Sequence, residues 1–532
     1  MLFNSYGFLF LFLPLVLLGF FQLARIHQAY AAAWLAVSSL FFYGYWNPAY
    51  VGLLLGSIVC NYAFGMWIAK TSAREKGEGK REKKEGGKGY GASSKQLLIV
   101  ALTANLLLLG YYKYANFFVG SLNTVAGSAW QLGDIMLPLG ISFFTFTQIA
   151  FLVDTYQGKV KEYNFIHYTL FVTYFPHLIA GPVLHHKEMM PQFAHASTYR
   201  FSYENMTVGG TIFLIGLFKK VVLADGIAFY VPSVFDAPGL GTQLTFVEAW
   251  GGALCYTLQL YFDFSGYSDM AIGLSRMFGV TLPLNFHSPY KSVNIIEFWR
   301  RWHMTLSRFL RDYLYIPLGG NRLGKARRYL NLMTTMLLGG LWHGAGWTFV
   351  VWGGLHGLYL IVNHAWHALR RKLGQDPDKP LSRPIHALSV LLTFLAVVLA
   401  WVFFRASDFR TAMSFMHAMS GANDMGMPDN WFTRFPAFHA WLADHGWFIT
   451  SNGLATGGMM NWIWISLLIV WLAPNTQTIM QSFKPALDMP QPVARTRLLW
   501  RPSFWSALLI WGLAFTALIN LSQQSTFLYF QF

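Results

Sequence analysis

Residues 299–313 read Trp-Arg-Arg-Trp-His-Met-Thr-Leu-Ser-Arg-Phe-Leu-Arg-Asp-Tyr, and residues 341–344 read Leu-Trp-His-Gly. At about 100° per residue, a helix through 299–313 separates its apolar residues from its arginines. The apolar side carries Trp299, Trp302, His303, Leu306, Phe309, Leu310 and Tyr313. The opposite side carries Arg300, Arg301, Arg308 and Arg311. The stretch therefore predicts an amphipathic helix that turns one histidine inward.

His343, in the second stretch, lies in an apolar run long enough to sit inside a membrane. An ionisable residue at membrane depth is a functional candidate, and a buried neutral imidazole can accept a proton. Glycines on both sides of it would let helix backbones approach closely and leave room for a ligand. His343 is thus a candidate general base. For His303 and His356 a packing role is the simpler interpretation.

The composition indicates that lipid, rather than water, surrounds most of the protein. The 532 residues are 55% hydrophobic and 18% aromatic, and only 12% are charged, about half the charged share of a soluble domain. We expect an all-α, polytopic transmembrane bundle that forms one domain over residues 1–532. The net charge of +16 is typical of basic loops held in the cytoplasm, and its scatter between apolar segments argues against nucleic-acid binding. The cysteines, Cys60 and Cys255, lie in separate apolar segments and predict no disulfide or zinc site.

Apolar runs long enough to span a bilayer predict roughly eleven spans. They lie near 8–24, 30–46, 50–69, 97–118, 206–223, 245–262, 329–345, 347–365, 384–404, 459–473 and 504–520. The first run lacks a basic region before it, so we expect a retained helix rather than a signal peptide. Residues 137–146 predict a kinked helix packed against protein, and 165–191, broken by proline and glycine, predict a re-entrant segment.

Two polar segments interrupt the spans. Residues 70–95 are rich in lysine and glycine, which predicts a disordered cytoplasmic loop and an N-terminus outside. Residues 421–455 form a polar insert of unclear depth. We expect the catalytic core between them, at about 137–365.

Other motifs are weaker. Gly319 to Lys325 fits the start of a phosphate-binding loop, but Ala326 replaces the hydroxyl residue and no strand precedes it. A basic turn is the better interpretation. With the four arginines it could hold a phosphorylated donor, or this surface could rest on anionic headgroups.

Asp263 and Asp269 stand in an apolar setting without sharing a helix face. His303, His343 and Asp263 lack the short spacing of metal ligands, and no Gly-x-Ser-x-Gly elbow is present.

Four stretches, 137–143, 263–269, 299–307 and 340–344, together resemble the membrane-bound O-acyltransferases. Within that family they are most similar to the bacterial subgroup of alginate O-acetyltransferase membrane subunits, as are residues 527–532. The resemblance implies helices around a tunnel that meets the catalytic histidine. It places that histidine at His343 and a second polar position at His303.

The resemblance also implies the substrates. We expect acetyl-coenzyme A as co-substrate with no bound cofactor or metal, and acetyl transfer across the bacterial inner membrane to periplasmic partner proteins of a polysaccharide-modification system. The expected substrate-binding residues are Trp299, Trp302, Arg300, Arg301, Arg308, Arg311, Asp263 and Trp342.

Other functions remain open at this level. One is D-alanylation of teichoic acid from a carrier protein, and others are O-acetylation of cellulose or peptidoglycan. A polysaccharide or acyl transporter would typically show an internal repeat, and no repeat of 20–50 residues is visible.

Overall fold

The computed structural model describes residues 1–81, 92–179, 181–377, 379–427, 435–445, 453–489, 496, 498–521 and 528. Within these ranges the regular structure is helical, apart from an isolated bridge between Pro283 and Leu487. The all-α prediction is therefore confirmed.

The helices are α1 (Leu13–Ile26), α2 (Gln28–Gly44), α3 (Ala49–Arg81), α4 (Ser94–Leu109), α5 (Ala115–Ala126), α6 (Ile141–Tyr156), α7 (Phe165–Thr173), α8 (Phe175–Leu178), α9 (His186–Ala194), α10 (Tyr203–Phe218), α11 (Asp225–Ala228), α12 (Val231–Asp236), α13 (Phe246–Met277), α14 (Ile295–Trp299), α15 (Met304–Leu310), α16 (Gly324–His343), α17 (Trp347–Lys372), α18 (Arg383–Arg405), α19 (Phe409–Met419), α20 (Pro436–Asp444), α21 (Gly457–Leu472), α22 (Thr476–Ile479) and α23 (Phe504–Asn520). Single π-helical turns occupy Phe8–Phe12, Gly110–Tyr114, Lys219–Ala224 and Arg311–Tyr315.

The chain forms two compact units. The first contains Met1–Leu214, Ser268–Leu284 and Met480–Val493, and the second contains Ile215–Tyr267, Asn285–Ile479 and Ala494–Phe532. The prediction of one domain over 1–532 stays a prediction.

The first unit is held by aromatic and small-residue contacts. Phe42 and Phe175 lie 5.5 Å apart by ring centroid, and a Cβ on Gly65 of α3 would lie 2.4 Å from the Phe151 ring of α6. Asn61 and Asn105 exchange amide hydrogen bonds of 3.2 and 2.6 Å between α3 and α4. This reciprocal pair satisfies two buried amides that would otherwise be costly.

The second unit is organised around the α16–α17 hairpin. The two helices are joined by residues 344–346 and pack closely: a Cβ on Gly340 would lie 2.2 Å from the Phe349 carbonyl oxygen, and one on Gly353 would lie 2.3 Å from that of Met336. Because only glycine allows this approach, the expectation that the glycines near His343 bring backbones together is confirmed. Trp401 of α18 stacks on Trp352 of α17 at 5.4 Å.

Four described helical stretches are long and apolar enough to cross a membrane: Phe8–Ile26, Ala49–Lys76, Ser94–Ala126 and Arg383–Arg405. The shorter Gly457–Leu472 and Phe504–Asn520 are also apolar. The helices α13, α16 and α17 are long enough, but buried polar residues or charged ends lower their hydropathy. The count of roughly eleven spans stays a prediction.

The structure also revises local expectations. The predicted disordered loop 70–95 is wrong over its first part, because α3 continues to Arg81. Residues 82–91 lie outside the described ranges, as does much of the insert 421–455, whose described residues include α20. The segment 165–191 contains the short helices α7, α8 and α9, and its re-entrant course stays a prediction. The helix α6 begins at Ile141, so the kinked helix predicted over 137–146 is wrong at 137–140.

Candidate active site

The backbone at His303 departs from the predicted helix. The helix α14 ends at Trp299 and α15 begins at Met304, so the continuous helix over 299–313 is wrong at 300–303. His303 adopts a left-handed conformation with φ 43° and ψ 53°, a strained state that costs about 1–3 kcal/mol and concentrates at functional sites.

Tertiary hydrogen bonds cause this break. The Met304 N–H donates to the Asn285 carbonyl at 2.9 Å, and the His287 N–H donates to the Arg301 carbonyl at 2.9 Å. A loop thus takes over backbone groups that a continuous helix would use.

The predicted inward face is nevertheless largely buried. Trp302, His303, Leu306, Phe309 and Leu310 are all less than 9% exposed. His303 itself is fully buried, with its Nδ1 3.1 Å from the Asn285 side-chain oxygen. Its Nε2 has no hydrogen-bond partner among the described residues.

His343 is the last residue of α16 and is also buried. Gly344 and Gly346, on either side of Ala345, are extended, which carries the chain directly into α17. A Cβ on Gly344 would lie 2.2 Å from the Phe349 ring. The short connection through Gly344 and Gly346 therefore places His343 at the end of the hairpin where α16 passes into α17.

His303 and His343 face each other with ring centroids 6.4 Å apart. A direct hydrogen bond of about 2.9 Å would bring two imidazole centroids to about 5 Å. The observed separation is therefore too long for a direct hydrogen bond between the two rings.

Aromatic rings enclose this pair. Trp342, Trp352 and Phe404 have ring centroids 4.7, 5.2 and 5.2 Å from that of His343. Phe264 of α13 stands edge-on to His303 at 4.8 Å. Such walls lower the local dielectric and exclude water, which strengthens electrostatic interactions with a reacting group.

The two tryptophans near His303 differ in position. Trp302 packs between Phe286 and Trp401, each 5.1 Å away, and so belongs to the core. Trp299 contacts Trp352 at 5.9 Å and His356 at 5.1 Å. Trp342 is in ring contact with both histidines and, of the three predicted substrate-binding tryptophans, lies nearest the pair.

His356 lies one turn beyond Trp352 on α17, at 4.8 Å from that ring. It is fully buried, and neither ring nitrogen has a hydrogen-bond partner among the described residues. Buried polar atoms normally form hydrogen bonds, so a packing role alone does not explain these two ring nitrogens.

The four predicted arginines do not act as one group. Arg301 pairs with Glu297 at 2.5 Å, and Arg311 pairs with Asp312 at 2.7 Å. Arg300 is exposed and forms no ion pair within the described ranges. Two of the four charges are thus already neutralised by neighbours along the chain.

A different cationic cluster forms where α16 begins and α17 ends. Arg328 Nη2 lies 2.8 and 3.0 Å from the two ring nitrogens of His364, one of which can accept its N–H. Arg300 and Arg371 lie within electrostatic reach of His364. No ion pair of Arg328 occurs in the described part of the chain. Along α16, at 1.5 Å per residue, Arg328 is about 22 Å from His343.

Asp263 belongs to a cluster of buried ion pairs. Its Oδ1 lies 2.6 Å from Lys220 Nζ, which also pairs with Asp225 at 2.8 Å. Its Oδ2 accepts a hydrogen bond from the Leu528 N–H at 3.1 Å. The structure therefore shows protein partners for both oxygens of this predicted substrate-binding residue, although Phe264, the next residue, contacts His303.

Among the described residues, no group of three or more histidine, cysteine or acidic side chains is arranged to hold a metal ion. The absence of a metal or cofactor stays a prediction.

Sequence reasoning missed Asn285 and Arg328 as site residues. Asn285 lay in a polar stretch, 285–290, that followed α13, and Arg328 lay among several basic residues of one turn. No spacing rule connects either residue to its histidine, because both contacts depend on how separate elements pack.

A family model described as MBOAT, membrane-bound O-acyltransferase family, matches residues 153–403. A Helicobacter pylori protein named peptidoglycan O-acetyltransferase is 44% identical over 458 residues, covering 80% of this chain and 81% of that protein. The chain belongs to the membrane-bound O-acyltransferase family. It is accordingly a multi-pass membrane protein and an O-acyltransferase.

Other family members are also similar to this chain. A Pseudomonas aeruginosa protein named probable alginate O-acetylase is 42% identical over 424 residues, covering 79% of this chain and 75% of that protein. A Streptococcus thermophilus teichoic acid D-alanyltransferase is 28% identical over 280 residues, covering 50% and 68%. The region matched by the family model contains both facing histidines.

Proposed function

We propose that this O-acyltransferase moves acetyl from acetyl-coenzyme A in the cytoplasm across the bacterial inner membrane, for O-acetylation of an exopolysaccharide such as alginate. The observation that carries the proposal is the buried His303–His343 pair, 6.4 Å apart, inside the region that matches the acyltransferase family model. The names of the alginate relatives support acetyl as the group transferred.

The pair suits transfer from a thioester to a hydroxyl. The hydroxyl oxygen forms a bond to the acetyl carbon, the carbon–sulfur bond breaks, and the hydroxyl proton ends on the leaving thiolate. An imidazole can take that proton near neutral pH and release it again.

The basic end of the hairpin supports a phosphorylated donor. Guanidinium groups bind phosphate through charge-assisted hydrogen bonds, and Arg300 and Arg328 have no ion-pair partner among the described residues. The axial separation of about 22 Å between Arg328 and His343 calls for a donor whose acyl group sits at the tip of a long arm. A coenzyme A thioester meets both requirements.

The acceptor has two supported candidates. Relatives named for alginate and for peptidoglycan both match most of this chain, and the peptidoglycan relative from Helicobacter pylori has a higher identity than the alginate relative from Pseudomonas aeruginosa. Both names denote glycans, so acetylation of peptidoglycan is the second candidate. Delivery through periplasmic partner proteins follows from the subgroup resemblance alone.

The test is thioester cleavage by purified protein in proteoliposomes, with acetyl-coenzyme A and an acetylated carrier protein in separate arms. We expect His343→Ala to lower thiol release from acetyl-coenzyme A by at least about 10²-fold, the usual contribution of a positioned acid or base. His386→Ala is the control, since His386 is an exposed residue of α18.

Three outcomes would contradict the proposal. Wild-type turnover by His343→Ala would exclude His343 from the chemistry. Turnover of the carrier-bound thioester alone would indicate the teichoic-acid type of donor. Acetyl-donor or polysaccharide movement without thioester cleavage would indicate a transporter.

A further inference from the structure

The side chains of Arg328 and His364 join α16 to α17 at the basic end of the hairpin. Arg328 Nη2 lies 2.8 and 3.0 Å from the two ring nitrogens of His364. A guanidinium can only donate, so the ring nitrogen that pairs with it offers a lone pair, and in this contact His364 is a neutral acceptor. The contact therefore holds a long, flexible side chain in place without neutralising its positive charge.

Other basic side chains surround this contact. Arg300, Arg371 and His367 all interact repulsively with a charged His364, as Arg328 does. Arg300 is exposed, and Arg328 and His364 are half-buried. Neither Arg300 nor Arg328 forms an ion pair within the described ranges. Like charges this close repel one another, and an anion bound among them would relieve the repulsion. The cluster therefore favours an anion that several basic groups can reach at once.

Basic residues also continue along both helices beside the cluster. Lys325 and Arg327 precede Arg328 on α16, and residues 370–372 of α17 read Arg-Arg-Lys. Basic residues at the ends of apolar helices predict the cytoplasmic side of the membrane. This is the side on which the proposed function places acetyl-coenzyme A, so the donor would meet the cluster from water.

Coenzyme A carries two kinds of phosphate. Its diphosphate links the adenosine to the pantetheine arm, whereas its 3′-phosphate is a terminal monoester at the end of the molecule remote from the thioester. A terminal phosphate carries about −1.5 to −2 charges at pH 7 and three strong acceptor oxygens. It therefore suits guanidinium groups that converge from separate elements. Its remoteness from the thioester also suits the axial separation of about 22 Å between Arg328 and His343.

We propose that Arg328 and Arg300 bind the 3′-phosphate of acetyl-coenzyme A, and that His364 positions Arg328 for this contact. The inference rests on the proposed function and names the part of the donor that the basic end of the hairpin recognises. It also gives the site a specificity. A carrier protein holds its pantetheine arm through a phosphodiester, and a lipid such as phosphatidylglycerol also carries a phosphodiester, so both lack the terminal monoester.

The test is calorimetric titration of the purified chain, in nanodiscs of phosphatidylcholine, with coenzyme A and with 3′-dephospho-coenzyme A. Because neither ligand carries an acyl group, binding is measured without turnover. We expect the wild type to bind coenzyme A at least about tenfold more tightly than the dephospho form. Arg328→Ala and Arg300→Ala should each lower this ratio at least about threefold, and the double variant should bind both ligands about equally.

Two substitutions of His364 separate positioning from packing. His364→Gln keeps an acceptor for Arg328, whereas His364→Leu removes it. We expect only His364→Leu to lower the ratio, with little change in the Kd for 3′-dephospho-coenzyme A. The matched control is Arg410→Ala, which removes an exposed arginine of α19 and should keep the wild-type ratio.

Three results would overturn the inference. They are equal binding of the two ligands by the wild type, a wild-type ratio in the double variant, and a ratio that disappears in nanodiscs containing phosphatidylglycerol. The last result would indicate a site for lipid headgroups. The expected binding pattern in a protein that cleaves no acetyl-coenzyme A would support the site and overturn the proposed function instead.

Discussion

Arg328 is a residue whose surroundings favour binding over fold stability. Its guanidinium meets His364 rather than a carboxylate, so a positive charge remains available at the basic end of the hairpin. Arg301, by contrast, already has Glu297 as its partner. At the scale of single residues, a free charge and a paired charge predict different effects on donor affinity.

We expect Arg328→Ala to raise the KM for acetyl-coenzyme A about tenfold while kcat changes little. A hydrogen bond to a charged group is worth about 1.5–3 kcal/mol, and about 1.4 kcal/mol is a factor of ten. Steady-state kinetics at low and high salt would measure the change. The matched control is Arg410→Ala, an exposed arginine of α19. An unchanged KM in Arg328→Ala, or a fall confined to kcat, would contradict a role in donor binding.

Single residues also show what sequence patterns can and cannot specify. His343 could be selected because a histidine between glycines in an apolar run has few structural explanations. Asn285 could not, because its contact with His303 joins residues 18 positions apart across an irregular loop. The arginines looked equivalent on a helical projection, yet Glu297 and Asp312 neutralise two of them.

At the scale of elements, the structure has two helices, α14 and α15, where the sequence predicted one. The apolar periodicity of 299–313 is correct, since the inward residues are buried, but the loop at 285–287 captures backbone groups at Arg301 and Met304. Hydropathy likewise placed a span at 245–262, whereas α13 continues to Met277. Its second half carries the buried polar residues Asp263, Ser265 and Asp269. Because these residues lower the hydropathy of the segment, hydropathy alone does not predict that it is buried.

The helix α19 has an N-terminal cap whose contribution can be tested. Asp408 accepts hydrogen bonds from the Thr411 N–H at 2.8 Å and the Thr411 hydroxyl at 3.2 Å. These bonds, led by that from the Thr411 backbone, hold the pKa of Asp408 below its usual value. The folded state therefore favours the ionised carboxylate.

We expect Asp408→Ala to destabilise the protein by about 1 kcal/mol near neutral pH. Because the folded-state pKa is depressed, the stabilisation is present above the unfolded pKa and is lost as pH falls through the folded one. Thermal unfolding in detergent at pH 7 and at acidic pH would show the difference from wild type shrinking with acid. A pH-independent difference would mean that the carboxylate charge plays no part in the cap.

At the scale of the whole molecule, the orientation in the membrane is the central prediction. The basic segment 70–95 is expected in the cytoplasm, and the loop at 120–134, which lacks lysine and arginine, is expected outside. This orientation would also place the N-terminus outside.

Single-cysteine labelling would measure the orientation. In a protein lacking Cys60 and Cys255, we expect Lys84→Cys to react with an impermeant maleimide only after the inner membrane is opened. Ala129→Cys should react in intact spheroplasts. The reverse pattern would invert the topology, and with it the side from which acetyl-coenzyme A is proposed to enter.

The hydrogen bond between Asp263 and the Leu528 N–H joins residues 265 positions apart. Ribosomes add about 5–20 residues per second, so this separation corresponds to a delay on the order of half a minute during synthesis. Throughout that interval one oxygen of a buried carboxylate lacks the donor that it has in the finished protein. This hydrogen bond of the second unit can therefore form only after Leu528 has been translated.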